Sequence, residues 1–583
     1  MPASFLHRAL VAAALHLGLL LPAPVLAALA LEVTVVGVDG AVRDNVLATL
    51  TIYEERERSD LTAARVRRLH ANALEQIRSA LQPFGYYRPR IKATLAQEGD
   101  RWHARYEIDP GPAVPVTAVE VNVTGEGADD PAFRALVDGF PMAPGQTLDH
   151  AAYEEGRRRF EAVAAERGYF DMRFTRREIR LDLEAYRAQI FLDVDTGPRY
   201  RFGEVHIEQD LLSEELLRRY VHLTPGQPYS TAALLELQTA FSSTNYFRDV
   251  QVEADPREAI DHTVPVRVTL TPRKRDRYSF GVGYGTDTGP RGQASWQRFY
   301  VNEYGHHARV DLRASDIEQS LLAGYFIPIR NPQTDQLALT GGYEEIETTT
   351  AISRIRRAAI ARTTVRGRTF ETLSLAYQRE AFEVGAQADT TTLLLPGASW
   401  TRYWGADRVY TRSGARLTLD LRGASEELGS DVSMLQARLS GKLILPVAMS
   451  GRLLTRFDVG TTRTEEFERV PASLRFFAGG DVSVRGYRYS SLGPTDASGD
   501  VVGGPRLLVG SVEYEQTIRG SWAVAAFYDI GNAVEDFSDP LVRGVGIGLR
   551  WRSPIGQIRL DAAHALDLPG DAWRIHLYIG PDL

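Results

Sequence analysis

The chain of 583 residues lacks cysteine altogether, and its only lysines are Lys92, Lys274 and Lys442. The absence of cysteine excludes a disulfide framework, thiol chemistry and lipidation on an N-terminal cysteine. The net charge of -8 is mild, and a nucleic-acid-binding surface needs clustered positive charge, so no nucleic-acid partner is expected. After the first thirty residues there is no run of roughly 18 apolar residues, so the sequence predicts no membrane-spanning helix.

The first residues have the features of an export signal. His7 and Arg8 precede an apolar run from Ala9 to Leu21, and small residues follow up to Ala27. This run is shorter than the roughly 20 apolar residues of a spanning helix, so a signal peptide explains it better than a membrane anchor does. We therefore predict a signal peptide over residues 1–27, with cleavage after Ala27 or Ala30.

Residues 31–272 repeat one pattern three times, at a period of about 80 residues. Each repeat opens with a short strand, continues with an amphipathic helix and closes with alternating strands after an aromatic turn. The turns are Gly85-Tyr86-Tyr87, Gly168-Tyr169-Phe170 and Asn245-Tyr246-Phe247. A β-α-α-β-β unit of this size buries one small core, and tandem copies form an articulated arm. We predict three such α+β domains, at residues 28–113, 114–199 and 200–273.

From residue 274 onward, strict alternation replaces the helical period. Tyr278, Phe280 and Val282 alternate with small residues, and other strands alternate apolar residues with arginine or aspartate. Such strands are typical of a sheet with lipid on one side and a hydrated lumen on the other. A soluble β-sandwich is the alternative, but it explains some 300 residues of this pattern poorly. At roughly 19 residues per strand and connection, about 16 strands fit, and they must close into a barrel because unpaired edges are costly in lipid. We predict an all-β transmembrane barrel at residues 274–583.

Two short motifs stand in the last quarter of the chain. Val484-Arg485-Gly486-Tyr487 lies in a long glycine-rich connection, and Phe527-Tyr528-Asp529-Ile530-Gly531 follows one strand later. Arg485 offers a planar fork of donors to the Asp529 carboxylate, and Gly486 permits a close backbone approach. The alternatives are a solvated loop arginine and an ordinary carboxylate facing the lumen.

These motifs, with the arm and the barrel, resemble the BamA-like outer-membrane insertase superfamily. Its members join polypeptide-transport-associated (POTRA) domains to a 16-stranded barrel. The resemblance identifies the first motif, Val484, Arg485, Gly486 and Tyr487, with the sixth extracellular loop, tethered to Asp529. It identifies the second motif, Phe527, Asp529 and Gly531, with barrel strand 13.

Three arm domains make the resemblance closest to the TamA family, although the final Leu583 departs from the aromatic residue common at such chain ends. The resemblance implies an outer-membrane barrel with its arm in the periplasm. It further implies assistance in inserting and assembling β-barrel proteins of the autotransporter type through a lateral seam. The implied partners are a TamB-like periplasm-spanning protein, unfolded β-barrel clients and outer-membrane lipid.

The implied seam lies between the first and last barrel strands. In the first strand the notable residues are Tyr278, Gly281, Gly283 and Gly285, and in the last they are Trp573, Ile575, Leu577, Ile579 and Gly580. Glycines weaken a strand, so they favour a seam that opens. The alternative is that the first-strand glycines only make room for the sixth loop in the lumen.

A protein-secretion pore of the two-partner type is the alternative function, although the chain has three arm domains where such transporters have two. An enzyme is not expected. His306-His307 has no third residue at ligand spacing, and no pairing of a nucleophile with a base is evident. We therefore expect no catalytic residues, no cofactor and no bound metal.

Overall fold

The computed structural model describes residues 29–405, 411–447, 450–553, 556–570 and 572–580. The predicted signal peptide lies outside the described residues, whereas Ala30 begins the first strand. The chain divides into two compact units. The first unit runs to Phe202 and also includes Gly226–Ala232 and Pro256–Val264. The second unit comprises Gly203–Pro225, Ala233–Asp255 and Pro265–Leu583.

The arm is built from three α/β domains, as predicted. The elements of the first are β1 (Ala30–Val36), α1 (Gly40–Thr49), α2 (Thr51–Glu54), a 3₁₀ turn (Glu55–Glu57), α3 (Ala63–Leu81), a 3₁₀ turn (Gln82–Phe84), β2 (Arg90–Glu98) and β3 (Arg101–Asp109). Those of the second are β4 (Val116–Thr124), a 3₁₀ turn (Glu126–Asp129), α4 (Pro131–Asp138), α5 (His150–Arg167), β5 (Arg173–Asp182) and β6 (Arg187–Asp195). Those of the third are β7 (Arg201–Glu208), α6 (Glu214–Arg218), α7 (Thr231–Ser242), β8 (Phe247–Glu253), a 3₁₀ turn (Pro256–Glu258) and β9 (Thr263–Pro272).

The three arm sheets share one strand order, β1-β3-β2, β4-β6-β5 and β7-β9-β8. In the first two, the opening strand runs parallel to the central strand and the remaining strand runs antiparallel to it. A parallel neighbour requires a crossover, and the helices provide it. Each core therefore lies between the helices and one face of a three-stranded sheet.

Local signals in the sequence explain where the arm helices begin and which face they bury. The Thr62 hydroxyl accepts a hydrogen bond from Arg65 N at the start of α3, and Asp149 accepts from two backbone N–H groups at the start of α5. Helix α3 then buries Leu69, Ala73 and Ile77 on one stripe.

The rest of the described chain forms a single sheet of sixteen antiparallel strands in sequential order. The first eight are β10 (Asp276–Gly285), β11 (Gly289–Arg298), β12 (His307–Ser315), β13 (Glu318–Pro328), β14 (Asp335–Glu347), β15 (Ala351–Arg366), β16 (Thr369–Val384) and β17 (Gln387–Trp404). The last eight are β18 (Gly414–Ala424), β19 (Met434–Val447), β20 (Gly451–Thr464), β21 (Arg506–Arg519), β22 (Trp522–Val534), β23 (Val542–Ser553), β24 (Gly556–Ala565) and β25 (Trp573–Gly580).

This sheet curls into a nearly closed barrel, which confirms the predicted fold class. Alternate residues of each strand face outward and inward, because side chains alternate along a strand. On β22, for example, Val524 and Tyr528 are exposed on the outer face, whereas Phe527 and Asp529 are buried on the inner face. No helix among the described residues is both long and apolar enough to cross a membrane.

Candidate functional site

The connection between β20 and β21, residues 465–505, packs against the inner face of the barrel, and we call it loop six. Its buried apolar side chains include Phe476, Val484 and Tyr487, and they join the wall residues Leu507 and Val509 in one hydrophobic cluster. This contact removes apolar surface from water, which fixes loop six against the strands that follow it. The predicted motif at residues 484–487 therefore lies in the lumen.

Arg485 of loop six forms a two-pronged ion pair with Asp529 of β22, the thirteenth barrel strand. Its Nε atom donates to Asp529 Oδ2 at 2.7 Å, and its Nη2 atom donates to Oδ1 at 3.0 Å. The backbone N–H of Arg485 donates to the same carboxylate at 3.1 Å. The guanidinium carbon lies 3.4 Å from the centroid of the Phe527 ring. A planar fork of donors suits this geometry, and a lysine does not reproduce it.

Two further carboxylates complete the surroundings of Arg485. Its Nη1 atom donates to Glu513 of β21 at 2.6 Å and to Asp561 of β24 at 3.0 Å. Arg550 of β23 donates to the same two carboxylates from within the wall, at 2.7 Å from its Nη2 atom to Glu513. Loop six is thus bound to side chains from three of the four strands β21 to β24.

Arg456 of β20 adds a third positive charge beside this network. Its Nη2 atom lies 3.7 Å from Asp529 Oδ2 and donates to the backbone carbonyl of Ser483 at 2.6 Å. Three arginines thus face three carboxylates. We call this set the lumen cluster: Arg456, Arg485, Arg550, Glu513, Asp529 and Asp561.

Because the lumen cluster is buried, the loss of any one of its charges is costly in free energy. Burial by itself lowers the pKa of the Arg485 guanidinium, but the neighbouring carboxylates Asp529, Glu513 and Asp561 raise it above its ordinary value, so the arginine stays charged. Removing one partner of a buried ion pair typically costs about 3–5 kcal/mol, because an uncompensated charge is left behind. The cluster therefore specifies where loop six binds and resists its release.

Glycine residues allow loop six to approach the barrel wall this closely. Gly486 has φ +97°, and a Cβ there would lie 2.9 Å from the backbone nitrogen of Ala565. A Cβ at Gly544 of β23 would overlap the backbone carbonyl oxygen of Arg485. Both positions therefore require glycine for packing, and Gly486 requires it for its backbone conformation as well. Gly531 of the second motif lies beneath the backbone of β21, where a Cβ would overlap Leu508 at 2.5 Å.

A second anchor holds loop six to β16. Glu380 is fully buried on that strand, and it accepts hydrogen bonds from the backbone N–H of Ser473 at 2.9 Å and from the Ser473 hydroxyl. Ser353 of β15 donates to the same carboxylate at 2.8 Å. Loop six is therefore attached to strands in both halves of the barrel.

The predicted seam lies where the sheet of sixteen described strands ends, because β10 and β25 are not paired in the ladder. Leu577 N donates to Thr286 Oγ1 at 2.8 Å, and Thr286 N donates to Leu577 O at 3.5 Å. The first of these bonds uses the Thr286 hydroxyl as its acceptor, and the second joins two backbone groups. Within the part of the chain that the structure describes, the first and last strands are therefore hydrogen-bonded directly to each other at one place, the pair of Thr286 and Leu577.

The first strand is an exposed edge over most of its length. The side chains of Phe280 and Val282 are 83% and 96% exposed, whereas Ile547 on the outer face of β23, a strand paired on both sides, is 67% exposed. The excess exposure arises because no neighbouring strand covers one side of β10. On β25, Trp573 and Ile575 are likewise exposed, and Leu577 and Ile579 share their face at partial exposure. Gly580 ends the strand as described.

At each first-strand glycine, the atoms nearest to an added Cβ do not belong to loop six. A Cβ at Gly281 would meet nothing within 4 Å; at Gly283 it would meet the Arg291 side chain, and at Gly285 the Thr288 hydroxyl. At Gly544 of β23, by contrast, the nearest atom belongs to Arg485 of loop six. The side of the barrel at Gly544 therefore has the closer approach to loop six, and a weak first strand remains a prediction.

Several residues of this site were not predicted from the sequence. Glu513, Arg550 and Asp561 were not singled out, nor was His576 of β25, which accepts a hydrogen bond from Gly486 N at 3.0 Å. The available signal was weak: charged residues at inward-facing positions of consecutive late strands. Only the closed register of the barrel places them around one loop.

Comparisons with known proteins agree with this architecture. The family model described as the Omp85 superfamily domain matches residues 273–580. The model described as POTRA domain TamA domain 1 matches residues 32–110, and a POTRA model described as surface antigen variable number repeat matches residues 200–273.

Among curated relatives, the outer membrane protein assembly factor BamA of Nitratidesulfovibrio vulgaris is 22% identical over 384 residues, covering 61% of this chain and 47% of the relative. BamA of Neisseria meningitidis serogroup B is 23% identical over 455 residues, covering 66% and 56%. The chain thus spans about half the length of the curated relatives it matches.

Among solved structures, BamA from Haemophilus ducreyi lacking POTRA domains 1–3 superposes with a TM-score of 0.68 at 17% identity, covering 79% of this chain and 99% of that one. At this level of identity the likeness concerns the fold.

Proposed function

Since the chain belongs to the Omp85 superfamily, we propose that it is an outer-membrane assembly factor that inserts β-barrel proteins through the seam of its own barrel. The observation that carries this proposal is the free outer edge of the first strand, which among the described residues is hydrogen-bonded to the last strand through Thr286 and Leu577. An uncovered strand edge presents N–H and C=O groups in a row, and an incoming strand can satisfy them. In lipid such an edge is costly, which favours its use as a template.

The two ends of the sheet suggest how a client enters. The first strand offers Tyr278, Phe280 and Val282 on its outer face, so an added strand would cover apolar side chains as well as backbone groups. The inner face of β10 bears Gly281 and Gly283, so no bulky side chain on that face would hinder an incoming strand. We place the barrel in the outer membrane with its arm in the periplasm, and outer-membrane lipid is then the medium that the client enters.

Within the superfamily we propose a role as the outer-membrane subunit of a translocation and assembly module, with autotransporter-type barrels as clients. Three arm domains and a first domain that matches the TamA model support this assignment. The proposed partner is a TamB-like periplasm-spanning protein that binds the first arm domain. Purification from membranes with the intact chain, and with a variant lacking residues 28–113, tests this: the partner should be retained only by the intact chain. Its absence from both preparations would contradict the assignment.

The seam itself is tested by locking it. The chain has no cysteine, so a Thr286→Cys/Leu577→Cys pair supplies the only two thiols. The matched control is Leu560→Cys/Leu577→Cys, which joins two register partners on strands that are already paired. In liposomes, oxidation of the seam pair should slow insertion of an unfolded client barrel about tenfold or more, reduction should restore it, and the control pair should have no effect. If the locked seam inserts clients at the control rate, the proposed mechanism is wrong.

A secretion pore is the second candidate, and the observation that favours it is a polar lumen. A cavity of about 350 Å³ lies beside loop six, lined by charged residues that include Arg416, Arg438 and Asp458. A pore predicts strong ion conductance of the purified barrel in planar bilayers and export of one dedicated protein. The insertase predicts low conductance, because loop six occupies the lumen.

A further inference from the structure

Loop six also reaches the seam, through three residues that lie outside the lumen cluster. Asp287 stands in the turn after the first strand, Asp481 lies in loop six, and His576 lies in the last strand. Ligand atoms of all three lie within 4.8 Å of one another. Three segments that are far apart in sequence therefore meet at one point beside the joint of Thr286 and Leu577.

A chain of hydrogen bonds links these segments in order. Asp481 N donates to Asp287 Oδ2 at 2.7 Å, which ties loop six to the first hairpin. His576 Nδ1 contacts Asp481 Oδ1, and Gly486 N donates to His576 Nε2 at 3.0 Å, which ties loop six to the last strand. His576 is 2% exposed, so its ring nitrogens are largely shielded from bulk solvent.

The same bonds identify the chemistry of the group. Because Nε2 accepts from a backbone N–H, the neutral imidazole carries its proton on Nδ1 and donates it to Asp481. Both ring nitrogens are then occupied, so a cation would have to displace one of these bonds. The arrangement of two aspartates and a histidine is therefore better explained as a connection between segments than as a metal centre.

Asp287 engages through only one of its oxygens. Its Oδ1 atom is buried and has no hydrogen-bond partner within the described ranges. Burial raises the pKa of the Asp287 carboxyl, and the charge of Asp481 raises it further. An amide in place of this carboxyl would still accept from Asp481 N while removing the repulsion.

We propose that loop six is the clasp of the seam: through Asp481 and Gly486 it holds the first hairpin at Asp287 and the last strand at His576. The edge strands then separate only when this chain of hydrogen bonds breaks. The clasp rests on the proposed function for its purpose, because it names what must be released before a client enters. Its existence is measured on the full-length protein without any client.

Hydrogen–deuterium exchange of the full chain in nanodiscs tests the clasp. Asp287→Ala should speed exchange in peptides covering residues 284–290 on the order of fivefold to tenfold, because the hairpin loses its hydrogen bond to loop six. Asp481→Ala should act on the other side, with faster exchange at residues 573–580 and a hairpin that stays protected through the backbone bond. In Asp287→Asn, residues 284–290 should exchange at the parental rate.

Asp496→Ala is the matched control, because Asp496 also accepts backbone N–H groups of loop six but lies away from the seam. It should leave both edge peptides unchanged. Resistance to SDS without heating shows that each barrel has folded, and if Asp287→Ala does not fold, Asp481→Ala decides alone. Parental exchange in both alanine variants, or equal acceleration in Asp287→Asn and Asp287→Ala, overturns the clasp.

Client insertion by the same variants separates the two proposals. If the clasp and the seam mechanism are both right, Asp481→Ala should change the insertion rate along with exchange. Faster exchange with an unchanged insertion rate would leave the clasp standing and count against seam-mediated insertion.

Discussion

The two ends of the barrel sheet are built in opposite ways. The wall of β21 to β24 carries the lumen cluster and bears loop six against glycine backbone, whereas β10 has an uncovered edge and glycines that contact little. One end is held by charge pairs that are costly to break, and the other by hydrogen bonds at a single joint. The barrel thus combines a wall that holds loop six through buried charges with a first strand whose outer edge has no strand paired to it among the described residues.

Removal of Arg485 should cause the largest loss of stability, because it weakens the better anchored end of the sheet. Arg485→Ala leaves Asp529, Glu513 and Asp561 without their shared cation, so we expect the folded barrel to lose about 3–5 kcal/mol and loop six to leave the wall. Thermal unfolding in detergent and protease cleavage within residues 488–500 measure both effects. Arg485→Lys is the control and should fall in between, because a point charge does not reproduce the fork. A parental melting temperature for Arg485→Ala would show that the cluster does not hold the loop.

Overpacking the wall should have a smaller effect. Gly544→Ala places a Cβ on the backbone carbonyl of Arg485, and relieving such an overlap typically costs about 1–3 kcal/mol. Denaturant titration should show the loss. The matched variant Gly510→Ala lies in the same wall, where the nearest atom to a new Cβ is 3.6 Å away, so it should be nearly neutral. Equal losses in both would mean that close approach of the loop is not the cause.

The joint of the seam should be weaker than either of these. Thr286→Val removes the acceptor for Leu577 N, which is worth about 0.5–1.5 kcal/mol for a typical hydrogen bond. We expect faster amide exchange in β25 with no change in the melting temperature of the barrel. Thr286→Ser retains the hydroxyl and serves as control. A lowered melting temperature would mean that the seam contributes to global stability.

The smallest expected change has the opposite sign. Gly281→Val fills open space on the first strand and adds a β-branched residue, so it should stabilise β10 by up to about 1 kcal/mol. Slower amide exchange in β10 would show this. If the seam works through a weak first strand, client insertion should slow as well. If amide exchange slows but the rate of client insertion does not change, the low stability of the first strand is not needed for insertion.

Much of this architecture was predictable because its signals are local. Periodicity separated the helical arm from the alternating barrel, and the aromatic turns marked the repeats. The count of about sixteen strands followed from strand length alone. Arg485 and Asp529 were recognised because their motifs lie in continuous stretches of sequence.

Other features depend on residues that no local pattern connects. Asp287, Asp481 and His576 come from the start, the middle and the end of the barrel, and nothing in their neighbouring residues marks them. The close packing of Gly544 against the Arg485 backbone follows only from the position of β23 relative to loop six.

The sequence by itself determined the alternation, the repeats and the residue types available to face a lumen, because side-chain direction follows from the period of a strand or a helix. Tertiary structure alone decided which inward-facing charges meet and which strand edge stays bare. Those outcomes depend on closure of the sheet, a long-range constraint that brings distant segments together and that no short segment encodes.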